Sequence, residues 1–100
     1  LVVNGHYGLE NSIAVRRAAI ACSANAVPVA DYELLTDLGA AGDHAGLFDT
    51  ALLLPDRPDL VDLGQVDLPG VIGADPRDAT AELGVRALAL ATERRRLATG

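Results

Sequence analysis

The chain reads as an α/β fold built on a parallel sheet, and three observations predict it. An apolar run, Leu1-Val2-Val3, breaks at Asn4-Gly5, and then His6 and Glu10 precede a helical pattern that begins at Ile13. Strand, glycine turn, chemically able side chains and helix is the order in which open α/β sheets present chemistry at the carboxyl ends of their strands. A second short apolar segment, Ala26-Val27-Pro28-Val29-Ala30, follows that helix, as a strand–helix–strand unit requires. Finally, half the residues are apolar but only Tyr7, Tyr32 and Phe48 are aromatic. A core of Leu, Val, Ile and much Ala favours close packing of helices on a sheet.

Taken in order, residues 1–3 are the end of a strand. Residues 11–24 place Val15, Ala18, Ala19 and Cys22 on one stripe, the spacing of an amphipathic helix. Cys22 then reads as a buried, inert thiol, and Asn25 as the helix stop. Pro28 removes a ladder donor, which assigns the second strand an edge or its own end. Residues 31–42 form a connection with a short helical turn around Leu34 to Leu38. Asp43 is placed to cap a helix from about His44 to Leu54, broken by Pro55. Residues 58–62 make a turn and a short extended piece. Residues 63–74 are punctuated by glycine, with Val71-Ile72 a short strand or docking segment. Asp75-Pro76 is a turn or helix entry. The last helix spans about 78–97, with Leu83, Ala87 and Leu90 on one side and Leu88 and Ala91 adjacent. Its Arg94-Arg95-Arg96 run reads as a solvated helix end complementing the macrodipole, with anion binding the alternative.

All eight cations are arginine and fourteen residues are acidic, for a net charge of −6. That balance argues against nucleic acid as a partner, since its binders carry basic patches. A single cysteine excludes an internal disulfide, and no apolar run approaches the roughly 20 residues of a membrane span. With no membrane segment and no signal peptide, cytoplasm is the expected compartment.

Asn4-Gly5-His6-Tyr7 with Glu10-Asn11-Ser12, and Asp43-His44-Ala45-Gly46 with Phe48-Asp49-Thr50, resemble the two C-terminal signatures of the creatininase family. Their common forms are Asn-Gly-His-Gly-Gly-Asn and His-Ala-Gly-Glu-x-Glu-Thr-Ser. Arg57-Pro58-Asp59-Leu60-Val61-Asp62, Gly73-Ala74-Asp75-Pro76, Ala79-Thr80 and Gly84 are similar to the family's ending, in the same order. The resemblance implies a three-layer α/β/α sandwich with a mainly parallel sheet, of which residues 1–100 are the C-terminal portion of a single domain. It implies a metal-dependent amidohydrolase, cleaving a non-peptide or cyclic amide C–N bond, and a homo-oligomer. It also implies a two-metal centre of zinc, manganese or both, completed by residues outside this chain, so that the piece alone hydrolyses nothing.

By the same resemblance His6 is a metal ligand and Asn4 the group that orients it. The family's usual ligand after His-Ala-Gly is Glu, where this chain has Leu47. The creatininases proper instead supply a Glu within His-Tyr-Glu-Asn-Ser. This chain reads His6-Tyr7-Gly8-Leu9-Glu10-Asn11-Ser12, with Gly8-Leu9 inserted, which makes Glu10 the second metal ligand. His44, flanked by Asp43, is the catalytic proton-transfer group, because an amide's leaving nitrogen needs a proton. Tyr7 is assigned to substrate binding and Asp49, in place of Glu, to orienting the site or its helix. The substrate-stacking Trp of the creatininases has no counterpart in Gly39-Ala40-Ala41-Gly42, which makes creatinine itself a poor substrate. Two alternatives stand beside this reading. One is a creatininase-like peptidase of peptide-derived cofactor maturation. The other is a catalytically silent oligomerisation or binding subunit.

Overall fold

The computed structural model describes residues 1–6, 8–22 and 25–99. Strand β1, Val2–Asn4, runs parallel to β2, Pro28–Ala30, with Val2 opposite Pro28, Val3 opposite Val29 and Asn4 opposite Ala30. Pro28 takes the first position of its strand, where its missing N–H costs no ladder bond, and Val27 accepts from the Val2 N–H at 2.8 Å. Helix α1, Leu9–Cys22, joins the two strands. A 3₁₀ helix, Asp31–Leu38, follows β2 directly. Glu33 fixes that junction: its Oε2 accepts the Ala30 N–H at 2.8 Å while its Oε1 pairs with Arg16 of α1 at 3.2 Å.

Helix α2 is Leu47–Leu53, and α3 is Ala81–Thr99. Between them the chain makes a series of short 3₁₀ turns at Pro58–Leu60, Leu63–Gln65, Leu68–Gly70 and Pro76–Asp78. Thr80 Oγ1 accepts the Leu83 N–H at 3.1 Å, which starts α3 later than the expected residue 78. The core lies among the Asp31–Leu38 helix, α2 and α3. Leu35, Ala40 and Ala87 are buried at its centre, with Tyr32, Phe48, Leu52 and Leu90 packed around them. Helices α2 and α3 approach until a Cβ on Gly84 would lie 1.8 Å from the Ala51 carbonyl oxygen, and Ala51 and Ala87 are both 0 % exposed.

This is not a three-layer α/β/α sandwich. Among the described residues the sheet has two strands, and helices supply most of the structure. The core packs helix on helix, while the strand residues Val2 and Val3 remain 41 % and 45 % exposed. Turn chemistry explains why Val61, Val66 and Val71 add no further strand. Asp62 accepts the Gly64 N–H at 3.0 Å and Asp75 the Arg77 N–H at 2.9 Å, while Pro58, Pro69 and Pro76 preset turn geometry. Val61, Val66 and Val71 themselves stay extended, but the 3₁₀ turns between them leave extended runs too short to pair as a strand. Helix α1 also departs from its expected stripe: Ala19 is buried and Val15 half-buried, but Ala18 and the thiol of Cys22 are exposed. Cys22 is therefore not a core residue. No helix among the described residues is long and apolar enough to cross a membrane.

Candidate functional site

Beyond the carboxyl ends of both strands lies a cavity of about 450 Å³, within the range of small-molecule sites. Gly5, His6 and Gly8 reach it from the end of β1, and Tyr32 from just after β2. Asp43, His44 and Asp49 close it from the α2 side, and Ile72 completes the wall.

Asn4 builds the first histidine's loop. Its Nδ2 donates to the His6 carbonyl at 2.7 Å and its Oδ1 accepts the His6 N–H at 3.1 Å. Asn11, in the first turns of α1, donates to both of these acceptors, at 3.1 Å to Asn4 Oδ1 and 3.0 Å to the His6 carbonyl. The His6 ring then folds over Gly8, where a Cβ would stand 3.0 Å from Nε2.

The second histidine is fixed by backbone pairing. His44 donates its N–H to the Ile72 carbonyl at 2.9 Å and accepts the Ile72 N–H at 3.0 Å, an isolated antiparallel bridge. Asp43 points at the start of α2, where Oδ2 accepts the Phe48 N–H at 2.8 Å and Oδ1 lies 3.3 Å from the Asp49 nitrogen. It caps the helix as expected, but from three residues before Gly46, so α2 begins at Leu47 rather than near His44. Asp49 reaches back, its Oδ2 accepting the Ala45 N–H at 2.9 Å. The loop is tight enough that a Cβ on Gly46 would meet Asp43 Oδ2 at 2.6 Å, and Gly73 (φ 102°) passes within 2.7 Å of Asp43 Cβ by the same measure.

Burial pushes the Asp43 carboxyl above the usual aspartate range. The Phe48 N–H pulls the other way, and the negative charges of Asp49 and Asp31 add to the upward push. Asp31 belongs to the same neighbourhood, its Oδ2 lying 3.6 Å from the position a Cβ on Gly5 would take.

The structure thus brings His6, Asp43, His44 and Asp49 to one cavity and sets Asn4 behind His6. Glu10 is not with them: it is exposed in the first turn of α1 and does not line the cavity. Tyr7 lies outside the described residues. Among the described residues no three His, Cys, Asp or Glu side chains are grouped to hold a metal ion. Of the two expected metal ligands, His6 lines the cavity and Glu10 does not. Four contributors were not foreseen. Parallel pairing of Asn4 with Ala30 delivers Asp31 and Tyr32 beside the His6 loop, which the residue after a second parallel strand could have signalled. Asn11 had the signal of its place within the motif, and Ile72 that of the short strand or docking segment expected at Val71-Ile72.

Two imidazoles and neighbouring carboxylates around a small-molecule cavity can accept, hold and return protons. Compared with family models, with curated proteins and with solved structures, the chain matches none.

Proposed function

We propose that the chain carries the histidine-bearing part of a creatininase-like amidohydrolase centre, acting on a non-peptide or cyclic amide C–N bond. One observation supports this above the rest: His6 and His44, from distant stretches of sequence, line a single cavity at the carboxyl ends of a parallel pair. Breaking an amide requires a proton for the departing nitrogen, and imidazole is the side chain that holds and releases one near neutrality. His44 has that role, anchored by its backbone bridge to Ile72. His6, fixed by Asn4 and Asn11, lines the same cavity and orients the substrate with Tyr32. In the resembled enzymes divalent ions activate the water. The roles assigned to this chain's cavity residues are proton transfer and substrate placement. The proposal includes a cytoplasmic setting, where a lone thiol such as Cys22 stays reduced.

The test uses protein expressed from its whole reading frame and assayed for amine release from small cyclic and linear amides. His44→Ala is expected to lower kcat by about a hundredfold or more with little change in KM. An unchanged kcat would remove His44 from the chemistry and the proposal with it.

Exposed apolar side chains favour a second reading, that of an oligomerisation or binding subunit. Leu9 and Ile20 of α1 are 75 % and 74 % exposed. Sedimentation showing a concentration-dependent oligomer, together with absence of turnover, would favour this second reading over the first.

A further inference from the structure

A second cavity, also of about 450 Å³, lies between α2 and the turns that follow it. Its walls are aliphatic. Leu53 and Leu60 face it while 38 % and 60 % exposed, and Val61, Val66 and Val71 contribute half-buried side chains. Its charged lining is of one sign: Asp49, Asp62 and Asp67 reach it, and no arginine or histidine does.

The nearest arginines in sequence are already committed. Arg57 is bound to Asp59 through Nε and Nη2 at 2.9 and 2.7 Å, and Arg77 to Asp75 through Nη2 at 2.6 Å. None of the described ion pairs reaches Asp49, Asp62 or Asp67. The sequence also contains no lysine that could swing in. An aliphatic pocket with uncompensated carboxylates is complementary to a molecule that is aliphatic along its length and cationic at its end. The volume suits a small molecule rather than a protein segment.

We infer that this cavity binds a small aliphatic ammonium compound, its hydrocarbon chain against Leu53 and Leu60 and its charge toward Asp62 and Asp67. Asp62 is held in place by the Gly64 N–H at 3.0 Å and by Gln65 Nε2 at 2.6 Å, so it needs little reordering on binding. The inference does not depend on amide hydrolysis, and its test reads no turnover.

The probe is n-hexylammonium, titrated into the isotopically labelled chain with backbone amide shifts recorded, and n-hexanoate is the matched anion. Saturable shifts for the cation at residues 60–67 and at Leu53, with hexanoate inert, are expected. Asp62→Asn and Asp67→Asn should each weaken the cation about threefold, in a manner lost at high salt. Asn at position 62 keeps an acceptor for the Gly64 N–H, which preserves the turn. Equal binding of hexanoate overturns the inference. So do shifts spread over Leu9 and Ile20 as well, which would mean unspecific adsorption. Shifts at the cavity on raising protein concentration alone would mean a second copy fills it, and tighter binding of a lysine-centred tripeptide would mean a peptide does.

Discussion

Asp43 carries two demands that pull against each other. As a cap it serves best when ionised, accepting from Phe48 and Asp49, yet burial and the carboxylates of Asp49 and Asp31 oppose its charge. The folded chain holds a proton on Asp43 more tightly than the unfolded chain does. Between the ordinary aspartate value and the raised one, the folded state therefore binds more protons, and this group's contribution to stability falls as pH rises through that window. Asp43→Asn keeps one acceptor oxygen and removes the charge, so it should abolish that fall. Asp43→Ala should cost about 1 kcal/mol at neutral pH through the lost cap. Urea unfolding of the three proteins across pH 3 to 7 checks both. An Asn variant with an unchanged slope against pH would show that Asp43 is not the group responsible.

At the scale of elements, the packing of α2 on α3 depends on small residues. Gly84→Ala would drive a methyl into the Ala51 carbonyl and against Pro55, and backbone cannot swing aside as a side chain can. Overpacking of this kind costs about 3 kcal/mol, against a gain of under about 1 kcal/mol from helix propensity. A marked fall in the thermal midpoint is expected, and an unchanged midpoint would mean that the two helices do not touch at this position. The 3.6-residue spacing of Leu83, Ala87 and Leu90 makes α3 legible in the sequence. So are β1, the β2 position of Pro28, and the cap at Asp43, because each rests on a local rule. The sheet was misjudged for the opposite reason: strand number depends on pairing across long stretches of chain, and of the extended pieces expected at residues 58–62 and at Val71-Ile72 only the single bridge of His44 to Ile72 pairs. The site was legible in part. His6, Asn4, His44 and Asp49 fall where their loops suggest, whereas Asp31 and Tyr32 depend on strand register, and Glu10 was carried by a motif whose two-residue insertion leaves it outside the cavity.

For the molecule as a whole, burial is shallow. The accessible surface is 6499 Å², where a compact chain of 10.3 kDa has about 5,400 Å². The radius of gyration of 14.6 Å likewise exceeds the roughly 13 Å of a hundred-residue domain. Among the described residues no large side chain is fully buried, and alanines dominate the core. Since hydrophobic burial is the main favourable term, the isolated chain should unfold in urea with a stability below about 5 kcal/mol. A value near 10 kcal/mol would show that α1 and the strand pair are covered in solution.

Asp49 lines both cavities while its Oδ2 holds the Ala45 amide, next to His44. One carboxylate thus faces both hollows while one of its oxygens holds the loop that carries His44, so a charge brought into either chamber meets the same side chain.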